Sequence, residues 1–136
     1  METTARVHRR DLEFTDGIAT IRLHGDPSLA ARELDEVWLP LLMTGHAEVI
    51  VTLDRLDRLD ADVIAALGRV LTHVRGVGGE MALVTTRPDF VAILRAWDTE
   101  PAVPVLLDVD SAAGFFRERD VSVPIGEQPI PPPGEE

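Results

Sequence analysis

The chain has 136 residues, of which 45% are apolar and 27% charged, so its composition is that of an ordinary globular domain. Its formal net charge of −11 argues against nucleic acid and anionic membranes as partners, because neither attracts an acidic surface. Cysteine is absent, which excludes disulfides and cysteine-held metals. All 13 basic residues are arginine, which excludes P-loops, protein kinases and Schiff-base chemistry because each requires a lysine.

The first part of the chain predicts a β-hairpin followed by a helix. Residues 12–14 and 18–23 flank an Asp-Gly turn, which is typical of a hairpin because glycine accepts the positive φ required there. A helix is predicted over about residues 28–43. Pro40 lies inside it and cannot donate to the carbonyl four residues earlier, so we expect a kink or an early end there.

The middle of the chain predicts a strand, a helix and a second strand. Residues 48–53 form an apolar, β-branched run, and residues 61–75 have helical periodicity. Five residues of that helix are expected to be buried: Val63, Leu67, Val70, Leu71 and Val74. Glycines in residues 76–79 end the helix, and residues 80–85 predict the next strand.

The last part of the chain predicts two helices separated by a short strand. Pro88 suits the first position of a helix, because its missing N–H costs nothing there. The apolar face of this helix is expected to contain Val91, Leu94 and Trp97. Residues 103–107 predict a short strand. The final helix is expected to be capped by Asp110 or Ser111 and to bury Phe115 and Phe116.

This alternation of strands and helices is typical of an α/β domain. We expect one domain over residues 12–119. A flexible N-terminus, residues 1–11, precedes it, and a disordered, proline-rich tail, residues 120–136, follows it.

One segment says most about function. The apolar run of residues 49–53 ends in a charged loop, and Asp60-Ala61-Asp62-Val63 then opens an amphipathic helix. This pattern indicates a strand, a tight connection and a helix N-terminus, where free N–H groups favour negative charge.

The segment resembles the STAS domain of anti-sigma-factor antagonists, in which the strand is followed by Asp-Ser-Ser-Gly or Asp-Ser-Thr-Gly and a helix. Gly25-Asp26 and Gly78-Gly79 resemble other motifs of that family, in the same order and at similar spacing. The resemblance implies a STAS-type mixed β-sheet flanked by about four helices and led by a hairpin. It implies no catalysis. We expect no cofactor and no metal.

The resemblance also implies a partner and an altered switch. Domains of this family bind a kinase-like anti-sigma factor, and phosphorylation of the first hydroxyl residue after the aspartate breaks the complex. Ala61 occupies that position here and has no oxygen to phosphorylate. The partner surface is expected at the start of the helix and its preceding loop: Arg58, Asp60, Ala61, Asp62 and Ile64.

The acidic residues of this segment have two interpretations. Asp60 and Asp62 can serve as capping and first-turn residues, or Asp62 can mimic a phosphate. Mimicry is the weaker interpretation, because phosphoserine carries about −1.5 to −2 charges. Arg55 and Arg58 lie among the carboxylates, which favours neutralisation over a divalent cation site. The four histidines lack the spacing of a metal motif.

Two functions from different classes follow. The first is a protein-binding regulator that influences sigma-factor-dependent transcription. The second is a STAS-type scaffold or accessory subunit of a transporter or signalling assembly, unrelated to sigma factors. We expect a cytoplasmic protein, because no apolar run reaches the roughly 18 residues of a membrane helix and no signal peptide is recognisable. The sequence leaves both a monomer and a homodimer open.

Overall fold

The computed structural model describes residues 12–15, 17–43, 48–99 and 101–126, with side chains described as far as residue 118. Its strands are β1 (Leu12–Thr15), β2 (Ile18–Gly25), β3 (Glu48–Leu56), β4 (Glu80–Val84) and β5 (Val105–Leu106). The first helix, α1, consists of Pro27–Glu33, a π-helical stretch Leu34–Trp38, and Leu39–Leu42. The other helices are α2 (Ala61–Gly76), α3 (Pro88–Arg95) and α4 (Val109–Gly126).

The five strands form one mixed sheet in the order β1-β2-β3-β4-β5. β1 pairs with β2 in an antiparallel hairpin, and Gly17 in its turn has a φ of 80°. The pairs β2–β3, β3–β4 and β4–β5 are parallel. The predicted mixed sheet led by a hairpin and flanked by helices is therefore confirmed. Because neighbouring parallel strands point the same way, the carboxyl ends of β2, β3 and β4 lie at one edge of the sheet.

Helices cover both faces of the sheet. Helices α1, α2 and α3 pack on one face, against alternate strand residues such as Ile21, Val51 and Leu83. Helix α4 packs on the other face, against Ile50 and Val84. All five predicted core residues of α2 are buried, and Ala66 joins them. The periodicity of this helix therefore predicted its buried face correctly.

Pro40 lies inside α1 without ending it. Just before it, residues Leu34–Trp38 widen into a π-helical turn, in which the N–H of Leu39 donates to the carbonyl of Leu34. The helix then continues to Leu42, and the N–H of Met43 donates to the carbonyl of Leu39 at 3.0 Å. A proline ring clashes with the carbonyl four residues earlier, and a wider turn relieves that clash. The perturbation expected at Pro40 therefore takes the form of a π turn.

Several predicted boundaries are displaced. β3 continues to Leu56, so Asp54 lies within the strand rather than after it. β5 is only two residues long. The cap of α4 is Asp108, whose Oδ1 accepts from the N–H of Ser111 at 2.7 Å, so the prediction of Asp110 or Ser111 was wrong. Several capping-type residues lie close together here, so the backbone geometry decides which of them is the cap.

The buried face of α3 and the end of α4 also differ from the sequence prediction. Phe90 and Leu94 are the buried residues of α3, whereas Trp97 lies beyond the helix end and is only partly buried. Helix α4 continues to Gly126, past the domain end predicted at residue 119. Residues 1–11 and 127–136, which include most of the predicted tail, lie outside the described residues.

Two adjacent aromatic residues of α4 offer a test of the packing between this helix and the sheet. Phe116 is 0% exposed, whereas Phe115 is only partly buried. We expect Phe116→Ala to lower the free energy of unfolding by about 3–5 kcal/mol, because it removes a fully buried ring. Phe115→Ala is the matched control and should cost less. Urea denaturation measures both, and equal losses would contradict the packing described here.

Candidate functional site

The N-terminus of α2 is capped by Asp60, which has an extended backbone (φ −119°). Its Oδ1 accepts from the N–H of Val63 at 3.1 Å, and its carbonyl accepts from the N–H of Ile64 at 3.1 Å. Asp62 follows in the first turn and is exposed. Both carboxylates therefore complement the positive end of the helix, and Asp60 has the capping role that the sequence predicted.

The five residues of the predicted partner surface lie together but differ in exposure. Arg58, Ala61 and Asp62 are exposed, whereas Asp60 and Ile64 are partly buried. Ile64 packs against the main core, so only part of its side chain is available to a partner. Within the part of the chain that the structure describes, Arg58 has no hydrogen-bonding or ion-pair partner.

Residues 57–60, between β3 and α2, form what we call the site loop. It is held on both sides by the neighbouring strand ends. The N–H of Asp57 donates to the carbonyl of Gly25 at 2.9 Å, at the end of β2. Arg87, after β4, donates through Nη1 to the carbonyl of Leu56 at 2.7 Å. Leu59 is buried and anchors the middle of the loop.

Arg87 connects this loop to α3. Its guanidinium carbon lies 3.8 Å from the ring centroid of Phe90, and its Nη2 lies 3.3 Å from Oδ2 of Asp89. Phe90 is itself buried in the main core. The cation–π contact and the bond to Leu56 therefore tie the start of α3 to the end of β3.

Asp54 forms a second connection between β3 and the segment after β4. Its Oδ1 accepts from Oγ1 of Thr85 at 2.5 Å and from the N–H of Thr86 at 3.0 Å. Its Oδ2 accepts from Oγ1 of Thr86 at 2.8 Å. The Thr85 hydroxyl in turn accepts from the N–H of Arg87 at 3.1 Å. The sequence analysis did not single out these two threonines. Their position directly after a parallel strand could have indicated that they lie at the same sheet edge as the end of β3.

Burial by itself raises the pKa of Asp54, but hydrogen bonds from Thr85 and Thr86 and the charge of Arg87 outweigh it. The pKa of Asp54 is therefore held below its ordinary value, and the carboxylate is charged at neutral pH. This charge strengthens the hydrogen bonds that it accepts.

The described residues contain no group of three or more His, Asp or Glu side chains placed to hold a metal ion. Asp54 and Asp60 instead accept hydrogen bonds from the protein. His8 and His46 lie outside the described residues. Within the same ranges, no helix has the length and apolarity needed to cross a membrane.

The family of the chain follows from a comparison of its sequence with family models. The model of the STAS domain matches residues 9–112. The chain belongs to the STAS domain family. The capped helix that follows β3 thus lies in a STAS domain, as the sequence motifs predicted. No curated protein sequence matches the chain significantly.

Solved structures show the same fold at low sequence identity. RsbS of Moorella thermoacetica, in a variant form, has a TM-score of 0.70 at 12% identity, covering 81% of this chain and 96% of its own. The anti-sigma-factor antagonist SpoIIAA in its unphosphorylated form has a TM-score of 0.61 at 19% identity, covering 80% and 96%. A chain from the stressosome, described as a signal integration and transduction hub, has a TM-score of 0.64 at 12% identity, covering 80% and 97%.

The charge of Asp54 predicts how stability changes with pH. A carboxylate with a lowered pKa stabilises the fold above its unfolded pKa, and this contribution is lost as the pH falls through the folded pKa. We expect Asp54→Asn to lower the melting temperature at pH 7, and the difference from wild type to shrink below about pH 4.

The matched control is Asp57→Asn, which removes the same charge from an exposed position nearby. Thermal denaturation monitored by circular dichroism from pH 7 to pH 3 measures both variants. A deficit for Asp54→Asn that stays constant over this range would show that its charge does not hold Thr85 and Thr86, which we call the threonine segment.

Proposed function

We propose that this STAS domain is a non-catalytic regulator that binds a kinase-like anti-sigma factor and so influences sigma-factor-dependent transcription. The observation that carries the proposal is the site loop, which is fixed on both sides and presents Arg58 to solvent beside the capped helix, where Asp62 is also exposed. Loops positioned by a rigid scaffold are common recognition sites. The similarity of the fold to an anti-sigma-factor antagonist supports this choice of partner.

In this proposal the usual phosphorylation switch is lost at Ala61. Ala61 is the first residue of α2, directly after the Asp60 cap, and it is exposed. A kinase domain could reach this position but would find a methyl group. Asp62 places one fixed negative charge in the first turn, and the helix dipole favours it by about 0.3–1 kcal/mol. That charge is smaller than the charge of a phosphoserine. We therefore treat Asp62 as part of the contact surface and not as a mimic of a phosphate.

The chemistry of the surface also indicates what kind of contact it makes. Arg58 supplies a planar cation suited to a bidentate carboxylate contact or to stacking. Asp62 and Asp57 supply negative charge on either side of it, and all three are exposed. We expect a partner surface with charges of both signs. Such charges fix the register of a complex and raise its association rate, and Ile64 adds an apolar edge.

Arg58 is the most direct test of the surface. We expect Arg58→Ala to weaken binding to a purified anti-sigma factor of the source organism about tenfold, because arginine is enriched among the interface residues whose truncation costs most. Arg95→Ala is the matched control, since Arg95 is exposed at the far end of α3. Isothermal titration calorimetry measures both. If the two variants bind equally well, the partner surface lies elsewhere.

A second test restores the missing hydroxyl. With the same anti-sigma factor and ATP, we expect Ala61→Ser to gain phosphate at position 61, which mass spectrometry locates. The small polar side chain suits a position at the start of a helix, so the substitution should leave the fold intact. If position 61 of this variant stays unmodified while the complex forms, the partner does not act there as a kinase.

The alternative is a scaffold or accessory subunit of a transporter or signalling assembly, unrelated to sigma factors. The fold similarity to a stressosome chain favours this second candidate. A scaffold would purify from its own cells in a large assembly without an anti-sigma factor. Size-exclusion chromatography of the native complex, followed by identification of its components, separates the two functions.

A further inference from the structure

Thr86 combines exposure with a direct contact to a carboxylate. It lies between β4 and α3, and its hydroxyl donates to Oδ2 of Asp54 at 2.8 Å. Its neighbour Thr85 is 0% exposed and is inaccessible to another protein. The threonine segment follows β4 just as the site loop follows β3, so both lie at the same edge of the sheet.

We propose that Thr86 is a phosphoacceptor of this domain and that its phosphorylation releases the site loop. The proposal rests on the proposed function, because it takes the partner to be a kinase. Since Ala61 has no hydroxyl, a kinase bound to the site loop would find the Thr86 hydroxyl on the adjacent strand connection.

The geometry suits phosphoryl transfer from a nucleoside triphosphate held by the kinase. Oγ1 of Thr86 attacks the γ-phosphorus and forms a new P–O bond, while the bond from that phosphorus to the β,γ-bridging oxygen breaks. The nucleoside diphosphate leaves, and the hydroxyl proton passes to Oδ2 of Asp54. Asp54 is already within hydrogen-bonding distance of this proton, as a general base must be.

Other hydroxyl side chains lack one of these properties. Thr52 lies in the middle of β3, paired with Arg22 on one side and Val84 on the other. Ser111 is exposed at the start of α4 and is hydrogen-bonded to Asp108, so its local chemistry is similar. It has no contact with the site loop, however, because α4 packs on the opposite face of the sheet from α2.

A phosphate on Thr86 would break the connection that Asp54 makes. It replaces a donor to Asp54 with about −1.5 to −2 charges next to a carboxylate, and like charges repel. The bonds from the N–H and hydroxyl of Thr86 to Asp54 would be lost. Arg87, the next residue, holds the carbonyl of Leu56 directly before the site loop. Phosphorylation would therefore loosen the loop and weaken partner binding.

The decisive experiment maps phosphate on the full chain isolated from its own cells with phosphatase inhibitors, under growth and stress conditions. Wild type, Thr86→Val and Ser111→Ala are compared. We expect phosphate on Thr86 in wild type and Ser111→Ala, and none at position 86 in Thr86→Val. The tryptic peptide of residues 76–95 contains Thr85 and Thr86 as its only hydroxyl residues, so fragment ions assign the site. Absence of phosphate from Thr86 under all conditions would overturn the proposal.

Amide hydrogen exchange tests the structural consequence separately. Thr86→Glu should speed exchange in residues 57–60 several-fold relative to wild type. Thr72→Glu, which places the same charge on an exposed position of α2, should not. Equal exchange in the two variants would contradict the release of the loop.

The same preparations also keep this inference separate from the proposed function. If an anti-sigma factor co-purifies while Thr86 carries no phosphate, the phosphoacceptor is rejected and the regulator stands. If Thr86 carries phosphate in wild type while no anti-sigma factor co-purifies even with Thr86→Val, the acceptor is supported and the anti-sigma partner is rejected.

Discussion

The parallel pairing of β2, β3 and β4 is the constraint on which the candidate site depends. Parallel strands reach the same sheet edge, so the segments that follow them meet there although they are far apart in sequence. Gly25 ends β2, while the site loop and Arg87 follow β3 and β4. Their hydrogen bonds use the backbone carbonyls of Gly25 and Leu56, at the ends of β2 and β3.

Two kinds of contact fix the start of α2: a local cap, and contacts between segments that are far apart in sequence. Asp60 caps the helix locally, because its carboxylate accepts from the N–H of Val63 three residues later, and this contact positions the first turn. Asp54 and Arg87 make long-range contacts that position the strand end before it. The local cap orients the helix, and the long-range contacts orient the loop relative to α3. The geometry of this edge therefore depends on contacts that are made outside the site loop itself.

Patterns within one element were readable from the sequence, and contacts between elements were not. The 3.6-residue period revealed the buried face of α2, and the capping role of Asp60 was visible because it acts over three residues. The bond from Thr86 to Asp54 spans 32 residues and follows from strand register, which no local pattern encodes. The cap of α4 was misassigned because Asp108, Asp110 and Ser111 all suit a cap, and the backbone path decides among them.

The two edge strands of the sheet are short. β1 has four residues and β5 has two. Glu13 of β1 forms an ion pair with Arg22 of β2 at 2.6 Å, so the hairpin carries charge at its surface. Short edge strands resist the addition of a foreign strand, and a charged side chain such as Glu13 on β1 adds to this protection. An association of two copies by continuous β-sheet is therefore disfavoured, because neither edge strand offers a long ladder to pair with.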